Sequence, residues 1–310
     1  MVEQRELDER MADVGRGIEL CYESLGDPAA PTVLLVMGLG MQLVGWPDGF
    51  CDALVARGFR VVRFDNRDCG RSTHVGGPPP SLARLALRRV RSPYLIADMA
   101  ADAAGLLDAI GVRAAHVVGV SMGGMIAQAV AARHPERVLS LTSIMSTTGS
   151  LRVGQPALRI YPELLRRAPG EREAFAEHVV RFFEAIGSPA STYPPDREWI
   201  RAQALRSWER ASGDGLGQPR QLGAIVASGD RTRELRTIAT PTTVIHGTRD
   251  RLIKPSGGHA TAAAIAGSRL VMIDGMGHDV PEPLWPRFAD EIERVAARAQ
   301  PPGRPFPAYP

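Results

Sequence analysis

Lysine is all but missing from this chain of 310 residues: of 37 basic side chains only Lys254 is a lysine, and the rest are arginine. Against 34 acidic residues these leave a formal charge of +3. There is no long basic stripe, so the arginine bias reads as coding composition and not as a surface for a polyanion. Aromatic residues make up only 5%, and with so few stacking groups nucleic acid is not expected as a partner. The three cysteines, Cys21, Cys51 and Cys69, form no CxxC and leave one over in any pairing. Neither a disulfide framework nor a zinc cluster is therefore favoured, and a reducing cytosol fits best. Long apolar runs are missing too. The N-terminal MVEQRELDERMADVG is charged where a signal peptide needs about 7–15 apolar residues, and no segment reaches the roughly 18–20 that span a bilayer. A cytoplasmic protein without stable membrane insertion is expected. Glycine and proline, 32 and 25 residues, stay below the combined 25–30% or so that marks disorder.

What is present is an alternation of short apolar runs with longer amphipathic ones, the mark of βα units around a parallel sheet buried on both faces. Strands are expected at Val33–Met37, Arg60–Phe64, His116–Val120, Val138–Ile144, Thr243–His246 and Arg269–Ile273, with an antiparallel strand near Ile18–Tyr22. The clearest helix is Ile96–Ile110, where Ile96, Met99, Ala103, Leu106, Leu107 and Ile110 recur at helical spacing. Others are expected at Asp48–Arg57, Met122–Arg133, Ser256–Ala266 and Pro283–Ala299. The alternation stops between Ser146 and Arg236, where helical pieces (Pro156–Arg167, Glu171–Ile186, Asp196–Arg210) are broken by prolines and glycines. The expected fold class is α/β, a mostly parallel doubly wound sheet with an inserted helical cap. Its core would comprise residues 1–145 and 237–300, its cap residues 146–236, and an extended tail residues 301–310.

The chemistry centres on Gly119-Val120-Ser121-Met122-Gly123, which comes directly off the strand HVVGV and opens into the helix MGGMIAQAVAARH. GxSxG arises by chance in about one chain in ten of this length, and an ordinary glycine-rich βα turn could also contain it. The strand-to-helix setting is what makes it a nucleophile elbow, with a strained serine whose neighbours two residues away must be small. A serine hydroxyl needs a base in reach, and the base needs an acceptor to fix its tautomer. Of seven histidines, His74, His116, His134, His178, His246 and His259 sit where a structural role is expected. His278 instead follows the last strand in GMGH, in a loop at the same sheet edge as Ser121. Asp250, in HGTRDRLI after TVIH, is the acid on that edge; the loop after Val138–Ile144 offers no carboxylate.

With these residues in place, the chain resembles the α/β-hydrolase superfamily over nearly its whole length. VMGLGMQLVGWPDGF, RFDNRDCGRST, HVVGVSMGG and GMGH resemble in particular the bacterial esterases typified by anthracycline (aclacinomycin) methylesterase. The resemblance implies the α/β-hydrolase fold and a carboxylic-ester hydrolase that acts on a small-molecule ester without a cofactor or metal. It implies Ser121 as nucleophile, His278 as base and Asp250 as orienting acid. It also implies an oxyanion hole built from the backbone N–H groups of Met122 and Leu39. Where many relatives have His-Gly, this chain has Met37-Gly38, which leaves backbone donation untouched. Asp65, Arg67, Gly70 and Ser72 match the family's turn after the second parallel strand and read as structural, shaping one side of the pocket.

Other chemistries fare worse. Gly38-Leu39-Gly40 lacks the third glycine of a dinucleotide fold, GxxxxGK is missing, and there is no HExxH. A perhydrolase or haloperoxidase, a thioesterase or a phospholipase would use the same triad, and a ligand-sensing protein could be built on the same fold. The segment Ser81–Arg91 alternates Leu82, Leu85 and Leu87 with Arg84, Arg88, Arg89 and Arg91. It reads as a solvated helix or loop, or alternatively as a weak contact for acidic lipid or an anionic acyl group. Vesicle co-sedimentation insensitive to Arg88→Glu plus Arg89→Glu would remove the lipid contact.

Overall fold

The computed structural model describes residues 5–87, 90–166 and 168–299; the expected tail and Arg88 and Arg89 lie outside them. Among the described residues the strands are β1 (Arg10–Asp13), β2 (Glu19–Leu25), β3 (Thr32–Val36), β4 (Arg60–Phe64), β5 (Ala115–Val120), β6 (Val138–Ile144), β7 (Thr242–Gly247) and β8 (Arg269–Ile273). They form one sheet in the order β1-β2-β4-β3-β5-β6-β7-β8. The β1–β2 and β2–β4 pairs are antiparallel, and all the others are parallel. β1 escapes sequence reading because only one of its four residues is buried, too little to produce a period.

The helices are α1 (Asp48–Val55), α2 (Leu82–Ala86), α3 (Ile96–Ala109), α4 (Met122–Arg133), α5 (Tyr161–Leu165), α6 (Arg172–Ile186), α7 (Arg197–Arg210), α8 (Gly217–Ser228), α9 (Thr232–Leu235), α10 (Ser256–Ala264) and α11 (Trp285–Arg298). All five residues of β3 are buried, and alternate side chains serve opposite layers. Leu34 and Val36 pack with Ile96, Leu106, Ile126 and Val130 of α3 and α4. Val33 and Leu35 pack with Phe50, Leu54, Phe288 and Ile292 of α1 and α11. Two covered faces explain why the strand reads as an unbroken apolar run.

The chain runs from β3 to β4 on one side of β3, while β5 lies on the other. Loops leaving β3 and β5 therefore open into the crevice where strand order reverses, the place at which open α/β sheets bind ligands.

Between β6 and β7 the chain inserts α5–α9. Helix α8 is hidden in the sequence by Gly217, Pro219 and Gly223. Pro219 sits in the first turn, where its missing N–H is harmless. The glycines let the helix lie directly on the core: a Cβ at Gly217 would come 1.9 Å from the Asp68 carbonyl oxygen, and one at Gly223 2.9 Å from Pro80. Two arginines then plug the insertion into the turn after β4. Arg210 reaches Asp65 at 2.9 Å. Arg220 holds Asp68 through Nε and a terminal nitrogen at 2.9 and 2.8 Å, and the Tyr94 hydroxyl donates to the same carboxylate at 2.6 Å. All four charged groups are buried. The DNRD turn is thus the socket for the insertion. Arg220→Met strands a buried carboxylate and is expected to cost about 3–5 kcal/mol, lowering Tm by several degrees. Adding Asp68→Asn should recover much of that in thermal unfolding; an unchanged Tm in the single variant would contradict this role.

Candidate active site

Ser121 sits between β5 and α4 with φ 56° and ψ −121°, a region that costs a non-glycine residue about 1–3 kcal/mol. The surroundings enforce it. Its N–H donates to the Ile144 carbonyl at 2.9 Å, and its carbonyl accepts from the Met125 N–H at 3.2 Å and the Ser146 hydroxyl at 2.8 Å. The turn closes so tightly that a Cβ at Gly119 would lie 2.1 Å from the Gly123 carbonyl oxygen, and one at Gly123 2.1 Å from that of Val36. That is the physical reason for both glycines of GxSxG. The Ser121 hydroxyl is half-buried and has no hydrogen-bond partner among the described residues.

Beside it runs the loop after β3. A Cβ at Gly38 would stand 3.3 Å from Ser121 Cβ and 3.8 Å from Oγ, so this loop and the Ser121 turn are in contact. The loop is fastened on both sides of Leu39. Asn66 donates to the Met37 carbonyl at 3.0 Å, the Gly40 N–H donates to Gln221 Oε1 at 2.8 Å, and the Leu43 N–H donates to Asp65 at 2.6 Å. Among the described residues the N–H of Leu39 has no acceptor. Met122 opens α4, where an N–H has no intrahelical partner. Two free donors therefore flank the serine.

Asp250 and His278 are brought together: His278 Nδ1 lies 2.7 Å from Asp250 Oδ2, both side chains buried. The other carboxylate oxygen accepts the N–H groups of Leu252 at 2.9 Å and Ile253 at 2.8 Å. Because the carboxylate accepts, Nδ1 carries the proton and Nε2 presents its lone pair. Burial pushes the Asp250 carboxyl upward, but the His278 imidazole and a hydrogen bond from His246 outweigh it and hold it below its ordinary value. The His278 loop is tied to the insertion. Its N–H donates to the Ile186 carbonyl at 2.9 Å, while Ser188 donates to Asp279 through Oγ at 2.6 Å and N–H at 3.0 Å and accepts from Gly277. Between Ser121 Oγ and the imidazole there is no direct hydrogen bond among the described residues. The loops that carry Ser121, Asp250 and His278 leave the parallel strands β5, β7 and β8 at one sheet edge.

Sequence reasoning passed over His246. Its Nε2 faces two acceptors, the Ile253 carbonyl at 2.8 Å and Asp250 Oδ2 at 3.4 Å, so that nitrogen carries the proton, while Nδ1 is buried without a partner. The only signal would have been its position four residues before Asp250. His116 is walled into the core against Ser140, and burial pushes it down to about 4.

Residues 31–282 match the model of the alpha/beta hydrolase fold family, and the chain is 33% identical over 298 residues to rhodomycin D methylesterase of Streptomyces peucetius, covering 86% of this chain and 92% of that one. The chain belongs to the α/β-hydrolase family. Within the family it is also 28% identical to a putative non-heme bromoperoxidase of Mycobacterium tuberculosis, over 84% of this chain and 91% of the other. Among solved structures, this α/β hydrolase superposes on the enol-lactonase of Burkholderia xenovorans LB400 with a TM-score of 0.70 at 26% identity, covering 92% of this chain and 99% of that one. Among the described residues no helix is long and apolar enough to cross a membrane.

Proposed function

We propose that this α/β hydrolase cleaves carboxylic esters through an acyl-enzyme on Ser121. His278 Nε2 takes the hydroxyl proton as Oγ attacks the ester carbonyl. The N–H groups of Leu39 and Met122 receive the oxyanion. As the tetrahedral intermediate collapses, the C–O bond to the alcohol breaks and His278 returns the proton to the leaving oxygen. Water then enters through the same base and releases the acid. Asp250 holds the imidazole in the Nδ1–H tautomer and stabilises its protonated form. The observation that carries this function is the Ser121 turn, held in a strained conformation between two N–H groups without acceptors.

The similarity to rhodomycin D methylesterase supports the methyl ester of a bulky polycyclic acid as substrate, received under residues 146–236 acting as a cap. An ester panel tests it: kcat/KM for such a methyl ester should exceed that for linear acyl esters by at least about tenfold. Equal values across the panel would contradict the assignment. The bromoperoxidase relative favours a second activity, in which peroxide replaces water at the acyl-enzyme; peracid formation assayed beside ester hydrolysis separates the two. Three buried free thiols support a reducing cytoplasm. Weak contact with acidic lipid is proposed for the exposed side chains around Arg84, Leu87 and Arg91.

A further inference from the structure

We propose that Gln221, in the helical insertion, is a positioning residue for the Leu39 oxyanion donor; this rests on the ester-hydrolase function above. Gln221 lies in α8 and is fully buried, out of reach of a substrate. Its carboxamide is used at both ends: Oε1 accepts the Gly40 N–H at 2.8 Å, and Nε2 donates to the Arg67 carbonyl at 2.8 Å. One partner is a donor and the other an acceptor, so the amide has a single satisfied orientation.

The Gly40 N–H belongs to the Leu39–Gly40 peptide, the plane next to the one that carries the Leu39 N–H. On the other side Asn66 holds the Met37 carbonyl. The free donor therefore lies between two anchored peptides, one tied to the core and one to the insertion. Left to itself, a Met-Gly-Leu-Gly loop would sample many conformations. Gly40 has φ 68°, and a Cβ there would come 2.8 Å from Cγ of Gln218 on the same helix. The Gly38 carbonyl, on the same peptide as the Leu39 N–H, accepts the Met41 N–H at 3.2 Å, so the loop's own turn orients that donor and α8 holds the turn in place through Gly40. A donor turned away from the oxyanion weakens the transition state while leaving ground-state ester binding nearly intact.

The test uses the full chain with Gln221→Met, which keeps length and loses both hydrogen bonds, and Gln221→Asn, which keeps the amide one methylene short. Active sites are titrated with a fluorophosphonate so that unfolded protein does not count. The expected result for Gln221→Met is a fall of about 10–100-fold in kcat per titrated site, with KM within about threefold. The inhibition constant of a trifluoromethyl ketone, whose hemiketal oxyanion occupies the same hole, should rise in proportion. If Gln221→Met yields no folded protein, Gln221→Asn decides, with a fall of at least about fivefold expected. Wild-type kcat per site, or a raised KM at unchanged kcat, would overturn the proposal. Ser121→Ala is run alongside: if it is inactive while Gln221→Met turns over normally, only the role of Gln221 falls. If Ser121→Ala itself turns over normally, the ester-hydrolase function falls with it.

Discussion

Ser121→Ala is expected to remove about 10⁴–10⁶ of kcat and leave the fold and Tm unchanged. Loss of the hydroxyl removes the bond-forming atom, so the remaining rate comes only from the N–H donors and substrate binding. Alanine inherits the same φ of 56° and the same strain. Ser121→Gly separates strain from chemistry. Glycine occupies this region freely, so the variant should be as inactive as Ser121→Ala. It should also be more stable by about 1 kcal/mol, the relieved strain less the extra freedom glycine gains when unfolded. Thermal unfolding of the two variants checks it; a glycine variant less stable than the alanine variant would contradict a strained elbow.

Asp250→Asn should lower kcat by about 10⁴ with little change in shape. The hydrogen bonds dictate why. One oxygen of Asp250 faces the N–H groups of Leu252 and Ile253, so the asparagine oxygen must remain there and its NH₂ must face His278. An NH₂ in that place can only donate, so Nδ1 must lose its proton and Nε2 must carry one. The imidazole then presents an N–H to Ser121 where a lone pair is needed. In the unmodified protein Asp250 stays ionised below the ordinary carboxylate range. Protonation of Asp250 itself is therefore expected to contribute nothing to the fall of kcat/KM between neutrality and pH 5. An acid limb that required Asp250 to take up a proton above pH 5 would contradict that.

The inner parallel strands β3, β5 and β7 were legible because each is buried on both faces, and the half-buried edge strand β8 because RLVMI is still a short apolar block. The candidate site was legible because its residues occupy strand ends: Ser121 after β5, Asp250 after β7, His278 after β8. The ties between insertion and core were not. Gln221 meets Gly40 across 181 residues, and Arg220 meets Asp68 across 152. Such polar contacts have no period, and α8, which carries both, is masked by the glycines that let it approach the core. His246 was set aside as a strand-end histidine because nothing in its local sequence marks a side chain that shares the carboxylate of Asp250.

Reaction of the full chain with a fluorophosphonate, followed by peptide mass spectrometry, tests the central claim most directly. One adduct per chain, on the peptide that carries Ser121, formed slowly in Asp250→Asn and not at all in Ser121→Ala, is the expected result. A protein that turns over esters yet carries no adduct there, or carries it on another serine, would contradict it.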